Sequence, residues 1–189
     1  MKTKLFMLLL GCKPKGRTTE QHDIFFGIAE NLKDLIPSIN DFWPEALGKI
    51  HIDAWREVTA VDTNRVTACG RHFDLDKRES QALNKLFFIN LGGYKKDQFD
   101  EFHYKMLVVA KNISEAISQA KETEFFKRTG FSNAPAHIDD KYGLDIDDIF
   151  DVEDLLSKET KEHYKLLIND NVRVESDQIN LGYLKLSKL

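Results

Sequence analysis

The sequence predicts an α+β fold made of two tandem strand-strand-helix-strand repeats that are related by pseudo-twofold symmetry. Residues 5–35 align without a gap on residues 86–116 at a constant offset of 81, with nine identities in 31 positions. Each segment also contains two short apolar runs and then a stretch with helical spacing, which is typical of two strands that precede a helix. An internal repeat of this kind determines the architecture of the whole chain.

The identical positions include glycine, histidine and carboxylate residues as well as apolar ones. Those of the first copy are Leu5, Phe6, Leu10, Gly11, Lys15, Glu20, His22, Ala29 and Asn31, which align with Leu86, Phe87, Leu91, Gly92, Lys96, Glu101, His103, Ala110 and Asn112. Farther on, His51-Ile52-Asp53 aligns with His137-Ile138-Asp139 at an offset of 86. We therefore predict a first repeat at residues 1–80 and a second repeat, with a C-terminal extension, at residues 81–189.

Each repeat is predicted to open with two strands. The runs 4–10 and 85–91 are short, apolar and followed by glycine, as buried strands are. The second strands are predicted at 22–30 and 103–111. Residues 22–30 are apolar on both faces, which predicts a central strand that is covered on both sides.

A helix is predicted after the second strand of each repeat. Asn31 and Asn112 precede the helical stretches, and a short side-chain acceptor at that position can bond the free N–H groups of the first turn. Pro37 lies inside the first helical stretch and predicts a kink or a restart there. Pro44 is predicted to end this helix.

The rest of the two copies is less alike. The first copy has a predicted third strand over 51–61 and, after a turn, a return strand over 66–69. In the second copy the acidic stretch 145–156 fits a short helix better than a strand, and a last strand is predicted near 164–168. Residues 70–84 are polar and are predicted to link the copies.

Composition and charge exclude several classes of protein. The net charge of −4 provides no electrostatic signature for nucleic acid, and no apolar run approaches the about 20 residues that cross a bilayer. The two cysteines, Cys12 and Cys69, make neither a disulfide framework nor a metal cluster. We therefore expect a cytoplasmic protein with no nucleic-acid or membrane partner. Residues 1–12 resemble a lipoprotein signal, but the same segment recurs inside the chain, which favours a strand.

The repeated histidines and carboxylates are the candidate metal ligands. Glu20 and His22 are two residues apart at the start of a strand and therefore point the same way, and His51 and Asp53 do so by the same argument. The eight residues of the two copies are Glu20, His22, His51, Asp53, Glu101, His103, His137 and Asp139. Imidazole and carboxylate together suit a divalent metal such as zinc, iron or manganese.

Two other interpretations of these residues remain open. Histidines at strand edges often hydrogen-bond a neighbouring carboxylate or carbonyl, and a duplicated protein repeats its structural contacts too. A carboxylate that orients an imidazole also suits general acid–base catalysis. Convergence of the His22 and His51 nitrogens on one point would favour metal binding, whereas imidazoles on opposite faces of the sheet would exclude it.

The first loop carries the candidate ligand-binding residues. Its sequence from Gly11 to Thr18 is close to a phosphate-binding P-loop, but Arg17 replaces the lysine and a strand follows where a helix is required, so a nucleotide P-loop is excluded. The loop remains a candidate anion site. The candidate residues are Lys13, Lys15 and Arg17, with Lys96 in the second copy and Trp55 on the third strand of the first copy.

These segments resemble a small family of bacterial proteins of unknown function, whose domain occurs in one or two copies per chain. The segments that carry the resemblance are 10–12, 20–23, 51–58, 90–94, 101–105 and 137–143. The resemblance implies a two-copy member in a bacterial cytoplasm, and it implies no activity and no functional residue. Where the family motifs begin with two glycines, the first copy has Gly11-Cys12.

The sequence thus favours a non-catalytic protein that binds a small molecule or a protein partner through the loops of its repeats. The alternative is a metal-dependent hydrolase, in which histidines and one carboxylate hold a divalent metal and the other carboxylate activates water. The pattern names no cofactor beyond that metal. A homodimer is a further predicted form of interaction.

Overall fold

The computed structural model describes residues 3–71, 84–128, 137–138, 149–170 and 174–189, and of 137–138 only the backbone. The chain forms two compact units. Unit 1 consists of Met1–Ala82 together with Leu155–Leu189, and unit 2 consists of Leu83–Asp154. Unit 1 is therefore built from two separate stretches of sequence.

The described residues form eleven strands and five α-helices. The strands are β1 (Lys4–Cys12), β2 (Gln21–Ala29), β3 (His51–Glu57), β4 (Ala60–Val61), β5 (Asn64–Gly70), β6 (Lys85–Gly93), β7 (Phe102–Ala110), β8 (His137–Ile138), β9 (Ile149–Asp151), β10 (Tyr164–Asn169) and β11 (Asn180–Lys185). The helices are α1 (Ile36–Phe42), α2 (Ile113–Lys121), α3 (Glu124–Arg128), α4 (Val152–Leu155) and α5 (Lys158–His163), with 3-10 turns at Leu32–Leu35, Pro44–Ala46 and Leu186–Lys188.

The main sheet of unit 1 is antiparallel, with the strand order β11-β3-β1-β2. The central strand next to β2 is β1, which is buried along most of its length. The prediction that β2 is a central strand is wrong, because β2 lies at the end of this order. Its apolar residues cluster in its second half, where Phe25, Phe26, Gly27 and Ile28 are buried.

The hydrophobic core of unit 1 lies between this sheet and the segment that joins β2 to β3. Alternate residues of a strand point to one face, and those of β1 from Phe6 to Cys12 are buried in this core. From the joining segment the core takes Leu32, Leu35, Ile39, Ala46 and Ile50. The predicted order of strand, strand, helix and strand is therefore present in unit 1.

Prolines set the boundaries of the first helical segment, as predicted. A 3-10 turn begins after Asn31, whose backbone N–H donates to the Asp34 carboxylate at 3.1 Å. Pro37 lies in the first turn of α1, so the α-helix restarts there, where a missing N–H is tolerated. Pro44 follows the end of α1 and begins another 3-10 turn.

A β-bulge interrupts the pairing of β3 with β1. Leu9 pairs with Ala54 but Leu10 pairs with Ile52, so that Asp53 is an extra residue. One extra residue reverses the alternation of faces along the strand. Ile52 and Trp55 consequently both contact the core of unit 1, although they are three residues apart.

Unit 1 also contains a smaller antiparallel sheet with the order β10-β5-β4. The predicted return strand is confirmed as β5, which turns back from β4 after Asp62 in the left-handed conformation. The predicted last strand is confirmed as β10, which pairs with β5 from Tyr164 to Asn169. The link predicted at 70–84 lies mostly outside the described residues.

Unit 2 contains an antiparallel sheet in the order β7-β6-β8, and β9 also pairs with β6. The register of β6 with β7 is that of β1 with β2, with every residue number higher by 81. Asn112 caps α2 as predicted, because its side chain accepts from the Glu115 N–H at 3.0 Å. The helix predicted over 145–156 is wrong at Ile149–Asp151, which is a strand, and is confirmed at Val152–Leu155, while residues 145–148 lie outside the described residues.

The fold is therefore mixed α+β, as the sequence predicts, and the described residues form three small antiparallel sheets and few helices. The duplication and its pseudo-twofold symmetry stay predictions, and so do the repeat boundaries at 1–80 and 81–189. In the part of the chain that the structure describes, no helix is long and apolar enough to cross a membrane.

Cys12 is expected to resist alkylation in the native protein. Its side chain is fully buried, and burial raises the pKa of the thiol above its ordinary 9.0, with the Glu20 carboxylate adding to the rise and Lys49 opposing it. The thiolate is the reactive form, so a raised pKa slows reaction with iodoacetamide. The same shift favours the folded state below pH 9, and this contribution disappears as the pH rises through the folded pKa.

Mass spectrometry of the labelled protein checks this expectation. The half-buried Cys69 should be labelled first, and Cys12 should react only after denaturation. Equal labelling rates of the two cysteines in the native protein would contradict it.

Candidate functional site

The candidate site of unit 1 lies where β1 ends and β2 and β3 begin. Gly11 of β1 is paired with His22 on one side and with His51 on the other. Residues that pair across antiparallel strands have their side chains on the same face of the sheet. The two histidines therefore flank a glycine on one face, which is the arrangement that the metal hypothesis requires.

Two carboxylates complete a cluster with these histidines, and we call these four residues, Glu20, His22, His51 and Asp53, the quartet. The Asp53 Oδ2 atom lies 3.2 Å from His22 Nε2 and 3.3 Å from His51 Nε2. The Glu20 carboxylate lies 3.3 Å from His51 Nε2 through Oε1 and 3.7 Å from His22 Nε2 through Oε2. The sequence thus predicted all four members.

The absence of a side chain at Gly11 makes room for the quartet. A β-carbon at this position would lie 2.5 Å from Asp53 Oδ2 and closer still to His51 Nε2. Real β-carbons essentially never come so close to another atom. Any larger residue at position 11 therefore competes with the quartet for the same space.

The quartet is closed on one side and open on the other. The His51 side chain is 6% exposed and that of Asp53 25%, whereas those of Glu20 and His22 are 44% and 42% exposed. His51 Nε2 and Asp53 Oδ2 are both buried and make no hydrogen bond with the described residues. Buried polar atoms without a hydrogen bond are rare and unfavourable, and these two lie within ion-pair distance of each other.

The quartet is not a preformed metal site. In the part of the chain that the structure describes, no group of three or more His, Cys, Asp and Glu residues is arranged to hold a metal ion. The donor atoms are close to each other, but convergence on a single ion requires side-chain rotation. Glu20 and His22 have room for this because they are the exposed members.

Tyr183 is a neighbour of the quartet that sequence reasoning missed. Its ring lies against the His51 ring, with 4.2 Å between centroids and 30° between planes. It belongs to β11, which pairs with β3 and contains a bulge at Gly182, where φ is 125°. Only the pairing of β11 with β3 brings position 183 to the site, so the local sequence carries no signal for it.

Unit 2 repeats part of this arrangement. Gly92 of β6 is paired with His103 on β7 and with His137 on β8. His103 Nε2 lies 4.0 Å from the Glu101 carboxylate. The side chain of His137 and the whole of Asp139 lie outside the described residues. In unit 2, as in unit 1, a glycine is therefore paired with one histidine on each of its two neighbouring strands.

The other predicted ligand-binding residues are not members of the quartet. Lys13, Lys15 and Arg17 are exposed in the loop between β1 and β2, and Lys96 is exposed in the loop between β6 and β7. Trp55 packs against the core of unit 1, with its ring 6.3 Å from that of Phe6. The bulge at Asp53 accounts for this, because it moves Trp55 to the face opposite His51.

Comparison with known proteins finds a family match over part of the chain and a similar fold. Residues 17–68 match the family described as Domain of Unknown Function (DUF1543), a segment that contains the whole quartet. The fold is similar to the crystal structure of a protein Il1583 from Idiomarina loihiensis, with a TM-score of 0.55, 19% sequence identity and 97% of each chain covered. The chain matches no curated protein.

Proposed function

We propose that unit 1 binds a divalent metal ion through the quartet. The observation that carries this proposal is the pair of buried atoms without a hydrogen bond, His51 Nε2 and Asp53 Oδ2, which lie 3.3 Å apart. A cation between them would satisfy both. The family match leaves this proposal open, because the matching domain has no known function.

The spacing of the donor atoms supports the proposal. Two ligands that bind a tetrahedral zinc ion at about 2.0–2.1 Å lie about 3.3–3.4 Å from each other. Of the four pairs of a histidine Nε2 with a carboxylate oxygen in the quartet, three are separated by 3.2–3.3 Å. The fourth pair, His22 with Glu20, is 3.7 Å apart and involves the two exposed side chains.

The donor set favours zinc or a similar first-row ion. Neutral imidazole and carboxylate are ligands for zinc, iron and manganese, and His22, His51 and Asp53 would leave one position open for water or a ligand. The competing interpretation is a set of histidine–carboxylate contacts that only stabilise the sheet. The two interpretations differ in whether the purified protein takes up metal at the quartet.

Metal binding is expected to disappear when the histidines of the quartet are replaced. Loss of a residue that hydrogen-bonds a metal ligand costs about 10–100-fold in metal affinity, and loss of the ligand itself costs at least as much. The variant His22→Ala/His51→Ala should therefore bind Zn²⁺ or Co²⁺ at least about a hundredfold more weakly at this site. Equilibrium dialysis with elemental analysis measures the affinity and the number of ions per chain.

The matched control is His163→Ala, which removes an exposed histidine of unit 1 outside the quartet. It should bind metal like the unchanged protein. Uptake by the double variant equal to that of the unchanged protein would contradict the proposal and favour purely structural contacts.

We propose a second, equivalent site in unit 2, formed by Glu101, His103, His137 and Asp139. The support is the shared register, in which Gly92 is paired with two histidines as Gly11 is. In the same dialysis the unchanged protein should then bind two ions per chain, and His103→Ala should lose the ion of unit 2 alone.

The other functions predicted from the sequence stay predictions. Glu20 has the exposed position that a water-activating carboxylate needs in a metal-dependent hydrolase. Binding of a small molecule or a protein partner through the loops, and formation of a homodimer, also stay predictions.

A further inference from the structure

The loop next to the quartet carries three cations that have no partner among the described residues. Lys13, Lys15 and Arg17 are exposed, and their side chains make no hydrogen bond or ion pair with the part of the chain that the structure describes. We propose that the metal-loaded quartet binds a small molecule through a phosphate group, with these three side chains around it. This inference rests on the proposed metal binding.

The chain itself keeps the cations near the quartet. A chain spans at most about 3.3–3.6 Å per residue, which limits the Lys13 Cα to about 7 Å from that of Gly11 and the Arg17 Cα to about 11 Å from that of Glu20. A tight turn shortens the loop further, because the Arg17 N–H donates to the Pro14 carbonyl at 3.2 Å and Gly16 has a φ of 85°. The backbone that carries the three cationic side chains is therefore beside the quartet.

The charge balance makes anion binding depend on the metal. With neutral histidines the quartet carries two negative charges, from Glu20 and Asp53, which repel an anion. A divalent ion cancels them and leaves the three loop cations uncompensated. By thermodynamic linkage, a bound anion must raise the metal affinity by the same factor by which the metal raises the anion affinity.

The kinds of side chain present favour phosphate among anions. Arginine forms bidentate hydrogen bonds with phosphate oxygens, and lysine binds phosphate as a point charge. Metal ions in phosphoryl-transfer sites bind the same oxygens. The open side of the quartet, formed by Glu20 and His22, is where a phosphate oxygen could reach the ion. The proposed ligand is therefore a phosphate-bearing small molecule.

Inorganic phosphate and the Co²⁺-loaded protein test the proposal. Visible absorbance follows Co²⁺ binding, and the ³¹P line width of phosphate follows its approach to the paramagnetic ion. In the His103→Ala background, which lacks the proposed ion of unit 2, the variant Lys13→Ala/Lys15→Ala/Arg17→Ala should keep Co²⁺ and bind phosphate about tenfold more weakly. The control Lys33→Ala/Lys111→Ala/Lys121→Ala loses the same charge at exposed positions elsewhere and should bind phosphate within about twofold of the unchanged protein.

The outcomes separate this inference from the proposed function. If the protein binds Co²⁺ but not phosphate, the phosphate site is overturned and the metal site is not. The same holds if the loop variant and the control variant lose equal phosphate affinity. Equal phosphate affinity with and without Co²⁺ would overturn the dependence on metal. Failure of the unchanged protein to bind Co²⁺ would overturn both proposals.

Discussion

Replacing Gly11 with alanine is expected to abolish metal binding by unit 1 without unfolding its sheet. The added methyl group would occupy the space between His51 Nε2 and Asp53 Oδ2, so the two side chains must move apart. His51 is buried and cannot turn out to solvent easily. The strand itself tolerates alanine, because Gly11 does not have a positive φ.

Thermal unfolding with and without Zn²⁺ measures this effect. A ligand at about a hundred times its Kd stabilises the folded state by about 2.7 kcal/mol, which corresponds to about 5–10 °C in Tm for a chain of this size. Followed by the fluorescence of Trp43 and Trp55, which both belong to unit 1, unfolding of the unchanged protein should show such a rise and that of Gly11→Ala should not.

Gly70→Ala is the matched control for this experiment. It also places a methyl group in a strand of unit 1, but its nearest neighbour there is the His163 carbonyl oxygen at 3.9 Å. This variant should respond to Zn²⁺ like the unchanged protein. A Zn²⁺-induced rise in Gly11→Ala as large as in the control would refute the assigned role of Gly11.

Leu8→Ala is expected to cause the largest loss of stability. Leu8 is completely buried on the central strand β1, within the core of unit 1. Removing a buried leucine side chain loses its transfer free energy and leaves a cavity, which together cost about 3–5 kcal/mol. A loss of this size is a large fraction of the about 5–15 kcal/mol that stabilises a typical domain.

Urea unfolding followed by tryptophan fluorescence measures this loss. Both tryptophans, Trp43 and Trp55, belong to unit 1, so the signal reports on that unit. The control Leu181→Ala truncates a side chain that is 80% exposed, and it should change the free energy of unfolding by no more than about 0.5 kcal/mol. A Leu8→Ala effect as small as that of the control would show that β1 is not at the centre of the core.

Local patterns in the sequence were sufficient to predict the elements that depend on near neighbours. The apolar run of β1, the cap at Asn112 and the restart at Pro37 are all set by residues within a few positions of one another. The strand order was not predictable in this way. Residues 22–30 have the composition of a central strand, yet β2 lies at the end of the sheet, and β3 is internal only because β11, distant in sequence, pairs with it.

The same distinction holds for the candidate site. The repeat and the two-residue spacings were enough to predict the quartet, and the structure brings its four side chains together. The bulge at Asp53 and the stacking of Tyr183 on His51 were not predictable, because both depend on pairing between distant strands. Simple alternation along β3 would put Trp55 on the same face as His51, and the bulge is the reason that it packs in the core instead.

The division of unit 1 into two stretches of sequence has a consequence for its synthesis on the ribosome. Residues 51–57 emerge long before residues 180–185, so the edge of β3 that pairs with β11 stays unpaired while all of unit 2 is synthesised. Open strand edges are templates for aggregation. A nascent or prematurely terminated chain that ends before β11 would therefore expose the edge of β3 and leave His51 without the ring of Tyr183. Correct folding of unit 1 thus depends on residues 180–185, which are synthesised after all of unit 2.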